Sequence, residues 1–186
     1  MKNALERRSK SLEESFFIAE NQKLSDALHR KNEKRKFKKS LGLKSDTLVD
    51  LFWELEIKPD TFTAVQMIPL VLVSWADGSM DDREREAVLA VAMDNKLYQD
   101  SKGWVQLKHW LNNKPDPKIF ELWHEWIQEI TQNMSEEDKR ALERELVHNA
   151  SEIAEAAGGI LGVGSFADSE KQMINKLRQS FNLKDA

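Results

Sequence analysis

Residues 64–92 read AVQMIPLVLVSWADGSMDDREREAVLAVA, and the fold class turns on them. Residues 64–76 are apolar on nearly every side, residues 77–86 (DGSMDDRERE) are dense in carboxylates, and residues 84–92 carry apolar groups at helical spacing. The order is therefore apolar helix, acidic turn, amphipathic helix. A helix with no polar face belongs at the centre of a bundle. The acidic turn has two readings. Carboxylates gathered at a tight turn suit a hard cation such as Ca²⁺ or Mg²⁺, which takes oxygen ligands. Carboxylates in the first turn of a helix are also ordinary capping chemistry, with Ser79 as the cap and Asp81, Asp82 and Glu84 favoured by the helix dipole. Asp77 is the residue that capping explains least.

The pattern continues on both sides. Ser45 or Asp46 is placed to cap a helix through Ile57, and Lys58-Pro59-Asp60 breaks it. Asp60 or Thr61 then opens the apolar helix, which Pro69 is expected to kink because it lacks a backbone donor. Downstream, residues 81–95 form the amphipathic helix and Ser101 opens another that runs to about Leu111. Residues 113–117 (NKPDP) are a clear break whose prolines suit the first turn of a helix over 118–132. Ser135 with Asp138 resembles a capping box for a helix over 136–157. Gly158-Gly159 ends that helix, and a glycine-bearing loop leads to a last helix over 169–181. No window alternates long enough to suggest a sheet. The expectation is an all-α fold, a compact multi-helix bundle of about seven helices preceded by a long charged N-terminal helix. Four tryptophans, Trp104, Trp110, Trp123 and Trp126, fall in one stretch, either as core packing or as an aromatic groove for a partner helix.

Residues 3–39 contain no proline and no glycine. Leu5, Leu12, Phe16 and Ala19 keep one helical face apolar, but the stripe fades past Leu28 into HRKNEKRKFKK (29–39). One long helix ending near Leu41-Gly42 is predicted, with Gly42 as its C-terminal cap. So thin a stripe buries little by itself, so the helix either packs on a partner or frays in solution. The net charge of −4 over 186 residues hides an asymmetry: residues 1–45 hold 13 Lys/Arg against 6 Asp/Glu, while the rest is acidic. The chain thus reads as a basic N-terminal helical arm, 1–44, on an acidic helical domain, 45–186. Arg30, Lys31, Lys34, Arg35, Lys36, Lys38 and Lys39, with Phe37 among them, are the candidate partner-binding residues. A protein partner with an acidic face, or the chain's own acidic body, fits best. Nucleic acid fits less well, because only Phe37 is available to stack on a base, and a membrane surface lacks the broad apolar face it needs.

There are no cysteines, which excludes disulfides, thiolate metal sites and cysteine nucleophiles. The first residues hold no apolar stretch of the kind a secretory signal has. The apolar run over 64–76 is too short for a membrane span, which needs about 20 residues. A cytoplasmic protein is expected. No phosphate-cradling loop or serine elbow is visible, and a non-enzymatic protein is expected.

Trp75-Ala76-Asp77-Gly78, with Glu84 and then Val88, Leu89 and Val91, resembles the TerB-like family, named for bacterial tellurite-resistance proteins. The likeness covers roughly residues 60–182. Residues Ile153-Ala154 to Gly158, then Ala167-Asp168-Ser169-Glu170 and Met173-Ile174, resemble the second copy of the repeated unit found in that family, with Gly158-Gly159 where its Asp-Gly would stand. The resemblance implies a helical domain with a pseudo-repeat and an acidic site able to hold a divalent metal; the residues of this chain that would build it are Asp77, Asp81 and Glu84, with Glu170 or Asp168 from the second unit. It implies no enzyme. A fainter resemblance links residues 8–43 to the N-terminal region of the zeta subunit, an inhibitor of the rotary ATP synthase: Phe16-Phe17, an acidic and polar middle, a basic run and Leu41-Gly42-Leu43. It implies an inhibitor or assembly factor acting through the arm.

The turn is not an EF-hand. With Asp77 at loop position 5, Glu84 falls at position 12, but Val73 and Trp75 then occupy positions 1 and 3 and cannot ligate. A separate metal reading rests on Glu121-Leu-Trp-His124 and Glu145-Leu-Val-His148. Both are Glu-x-x-His, a spacing found in di-iron carboxylate bundles, and a hairpin turning near Met134-Ser135 would set Glu121 level with His148 and His124 level with Glu145. Each pair is equally an ordinary helix-surface contact.

Overall fold

The computed structural model describes residues 2–158 and 168–183, which form eight α-helices, one 3₁₀ segment and no strand. The all-α expectation is met. Among the described residues no helix is long and apolar enough to cross a membrane. The chain divides into two compact units, Met1–Gly42 and Leu43–Ala186.

The first unit is one helix, α1 (Lys2–Ser40). It runs uninterrupted because nothing in it breaks a helix, and it is laced by pairs one turn apart: Gln22 to Asp26 at 3.0 Å, Lys23 to Glu20 at 3.2 Å, Arg35 to Asn32 at 2.9 Å and Lys36 to Glu33 at 3.0 Å. Each such pair adds only about 0.2–0.5 kcal/mol. The end is as expected. The Leu41 and Gly42 amides donate back to Phe37 and Lys39, and Gly42 turns the chain at φ +66, a conformation that costs a side-chain-bearing residue about 1–2 kcal/mol. Leu5 and Leu12 of the expected stripe lie outside the residues whose side chains are described. Phe16, Phe17, Ile18, Leu24 and Leu28 are all exposed.

The second unit is the bundle: α2 (Asp46–Glu54), a 3₁₀ segment (Phe62–Met67), α3 (Ile68–Ser74), α4 (Asp82–Asp94), α5 (Lys102–Asn112), α6 (Lys118–Thr131), α7 (Glu136–Gly158) and α8 (Asp168–Gln179). All seven residues of α3 are buried, and α3 touches α4, α6, α7 and α8. The fully apolar helix is thus the axle of the bundle. Its course corrects one expectation. Pro69 does not kink a continuous helix. Residues Phe62–Met67 wind as a 3₁₀ segment, and α3 starts at Ile68 with Pro69 in its first turn. The first turn is where a missing N–H costs nothing, since that donor has no partner inside the helix.

Other boundaries follow capping chemistry. Ser45 Oγ accepts from the Leu48 amide at 3.0 Å and Ser101 Oγ from the Trp104 amide at 3.1 Å. Ser135 Oγ accepts from the Asp138 amide at 3.1 Å, but Asp138 takes the Ser135 hydroxyl rather than a backbone N–H, so only half of a capping box forms. Helix α2 stops at Glu54, short of Ile57, because Glu56 enters the left-handed region at φ +59 and the Ile57 amide reaches back to Phe52 at 2.8 Å. Helix α5 packs on the 3₁₀ segment, and Gly103 permits the close approach: a Cβ there would meet Thr63 Oγ1 at 2.2 Å. Trp104, Trp110, Trp123 and Trp126 are buried. They build the core, and none offers a groove.

Candidate functional site

The acidic turn is built from the end of α3 outward. The Ala76 amide donates to Val73 and the Gly78 amide to Trp75, each at 3.0 Å, and Gly78 takes φ +94. A residue with a side chain is strained there, so glycine has a backbone reason to follow Asp77. The Asp77 carboxylate turns inward on the loop, accepting from the Ser79 amide at 2.8 Å and the Ser79 hydroxyl at 3.0 Å. This corrects the capping reading. Ser79 is not the cap of α4. Asp81 is, accepting from the Glu84 amide at 2.8 Å, while Glu84 accepts from the Asp81 amide at 2.8 Å. The reciprocal pair satisfies two orphan donors at once. Asp81-Asp82-Arg83-Glu84 carries that signature in the sequence, so the signal for it was present.

Glu84 is the half-buried member of the group. Burial lifts its carboxyl to about 7; the hydrogen bond from the Asp81 backbone opposes this, and the negative charges of Asp81, Asp77 and Glu170 push it further up. Glu170 comes from the first turn of α8, which packs with α7 and α3. Glu84 therefore feels three other acidic residues singled out in the sequence. They are not gathered into a chelating group: among the described residues no three His, Asp or Glu side chains are placed to hold a metal ion. Asp81 and Glu84 already hold backbone amides, and Asp77 holds Ser79. The second half of the pseudo-repeat is described only in part: residues 159–167 lie outside the described residues, as do the side chains of residues 152–158.

The Glu-x-x-His alignment is not formed. Helix α6 packs on α2 and α3, while α7 packs on α3, α4 and α8, so the two do not run as the side-by-side hairpin that would bring four ligands level. His124 is engaged on both ring nitrogens. Gln128 Nε2 lies 2.9 Å from Nε2, and Nδ1 lies 2.9 Å from Ser180 Oγ. The Ser180 hydroxyl donates onward to the Lys176 carbonyl at 3.2 Å. The network is satisfied by a neutral ring donating from Nδ1, which leaves no lone pair for a metal. Glu121, Glu145 and His148 are exposed.

The residues of the basic run divide. Arg30, Lys31, Arg35, Lys36 and Lys39 are exposed, and Lys34 and Lys38 are partly covered. Phe37, expected to face a partner with them, is 1% exposed. Its ring is not offered at the surface. A more informative set lies on the same helix: Phe16, Phe17 and Leu28, named from the sequence, and Ile18 and Leu24, which were not, stand 59–70% exposed. Phe17, Leu24 and Leu28, spaced 7 and 4 apart, share one face. That spacing could have been found from the sequence had the stripe been followed from Phe17 rather than Phe16. In comparisons with known proteins no family model matches the chain, and neither a curated protein nor a solved structure does.

Proposed function

We propose that this chain is a non-enzymatic helical interaction module whose α1 docks on a protein partner. The observation that carries the proposal is the exposure of Phe17, Leu24 and Leu28 on one face of α1, with Phe16 and Ile18 exposed to either side of it. Large apolar side chains standing singly on a surface need no explanation, but a contiguous set marks an interaction face. Burying one such side chain is worth about 1.5–3 kcal/mol, while the one-turn pairs that support α1 are worth a few tenths each. A helix of this kind gains most of its stability from whatever covers it. The exposed Arg30, Lys31, Arg35, Lys36 and Lys39 continue the helix beyond the apolar face and suit a partner with an apolar groove and an acidic border. An inhibitor or assembly factor acting through its arm, as the zeta-like pattern implies, is one form of this function.

The test is a photoreactive phenylalanine analogue at position 24 of the full chain, expressed in its own cell and irradiated. The expected product is an adduct with one other protein, absent when Phe17 and Leu28 are replaced by Glu. An adduct confined to residues 43–186 of the same chain would make α1 a structural arm and sink the proposal.

A second reading has its own observation. The Glu84 carboxyl is raised to about 7 by burial and by Asp81, Asp77 and Glu170. Mutually repelling carboxylates are what a divalent cation relieves. We infer a weak Ca²⁺ or Mg²⁺ site that requires the Asp77 and Glu84 side chains to swing from their present partners.

A further inference from the structure

The bundle holds a cleft that neither α1 nor the acidic turn explains. It lies where the end of α3, the proline-bearing loop before α6, α6 and α8 meet, and its volume is about 580 Å³, within the size range of small-molecule sites. Its apolar lining mixes the rings of Trp75, Phe120 and His124 with aliphatic groups such as Leu72, Ile119 and Met173. The rings are held from outside the cleft. The Trp75 indole N–H donates to the Trp110 carbonyl at 2.9 Å. Phe120 and His124 are stacked with centroids 6.0 Å apart and planes 24° from parallel, and both nitrogens of His124 are fixed by Gln128 and Ser180. The walls are therefore set before anything binds, which lowers the ordering cost of binding.

The polar groups of the cleft have a sign. Lys114 and Lys176 line it from the loop and from α8, and among the described residues neither ammonium makes an ion pair. The carboxylate Asp116 also lines it, but its Oδ1 accepts from the Lys118 amide at 2.9 Å, at the entrance to α6. Two free ammonium groups against one engaged carboxylate favour an anion. Fixed aromatic walls favour a flat apolar body.

We propose that this cleft binds a small aromatic anion of the arylcarboxylate class, its ring system against Trp75, Phe120 and His124 and its carboxylate between Lys114 and Lys176. The site stands independently of the docking role of α1, because every residue that carries it lies in the bundle.

The probe is 2-naphthoate, with uncharged 2-naphthylmethanol as its control, titrated into the full ¹⁵N-labelled chain and followed at the tryptophan indole N–H signals. The Trp75 signal is identified as the one lost in Trp75→Phe. Saturable displacement of that signal by 2-naphthoate is expected, with at least tenfold weaker binding of the alcohol. In Lys114→Gln/Lys176→Gln, two exposed changes that leave the core intact, naphthoate affinity should fall at least tenfold and alcohol affinity should stay the same. Absence of a saturable shift, a shift that omits Trp75, or equal binding of naphthoate by the double variant and the original chain would each overturn the proposal.

Discussion

Helices α1 and α3 are opposite solutions to the same problem. Helix α3 has seven residues, all buried, and touches four other helices. Helix α1 has 39 residues, and its apolar side chains at 16–18, 24 and 28 face outward. The short helix is too short to hold itself together, since isolated helices below about 12–15 residues are marginal in water. The bundle imposes it. The long one is laced by pairs one turn apart and closed at Gly42, and Phe16, Phe17, Ile18, Leu24 and Leu28 are left exposed. The difference teaches where function is to be sought. In α3 each apolar group is committed to the fold, whereas in α1 a coherent set is left available.

The largest effect expected from this contrast is on stability. Leu70→Ala in α3, where the side chain is 2% exposed, should cost about 2–5 kcal/mol through lost burial and a cavity. Leu24→Ala in α1 should shift the same denaturant midpoint by less than about 0.5 kcal/mol. A comparable loss from both would show that α1 is packed in solution and would break the comparison.

A smaller effect separates helices capped by design from helices that lean on neighbours. Asp81→Ala removes one half of the capping box and should cost about 1 kcal/mol. Amide exchange should quicken over the first turn of α4 and stay unchanged in α1. Global loss of protection instead would mean that the turn organises the whole bundle.

The smallest effect is electrostatic and lies inside the bundle. The folded state raises the Glu84 carboxyl from 4.5 to about 7, so it holds a proton that the unfolded chain has released. The stability this group lends is complete below about pH 4.5 and is lost as pH rises through 7. Because Glu84 is partly solvated, the change should be below about 1 kcal/mol. Glu84→Gln, which keeps the cap, should flatten that part of the pH profile in thermal melts. At pH 7.5 millimolar Ca²⁺ or Mg²⁺ should restore the loss in the original chain and not in Asp77→Ala. No response to either ion would remove the cation reading while leaving the contrast between α1 and α3 intact.

Much of the fold was legible because local chemistry specified it. Ser45, Ser101 and the prolines at 115 and 117 marked helix starts that the structure keeps. Pro69 was misread because apolar residues on all sides look the same whether the chain winds as one kinked helix or as a 3₁₀ segment followed by a fresh helix. Ser79 was misread because Asp81, two residues on, reads equally well as a first-turn carboxylate, and only its reciprocal bonds with Glu84 show it to be the cap. The Glu-x-x-His pairing failed because sequence neighbours were taken for packing neighbours, whereas α7 leaves α6 for α3, α4 and α8. The acidic residues stand out in the sequence because their density is local. The aromatic cleft does not, because its residues come from positions between 72 and 179 and no local spacing relates them.

One modest contact has a consequence for the order of events when the chain is made. The Glu129 carboxylate of α6 accepts from the backbone amides of Lys44 and Ser45, at the entrance to α2, across 84 and 85 positions of sequence. As the polypeptide emerges from the ribosome, α2 is complete long before the group that closes its front end exists. Its frame is then provisional, and it becomes fixed only when α6 arrives and packs on it. Such a long-range closure belongs late on the folding path, and it welds the beginning of the bundle to its middle. The amides of Lys44 and Ser45 are accordingly reporters of whether the whole bundle has assembled, although they sit at its very first turn.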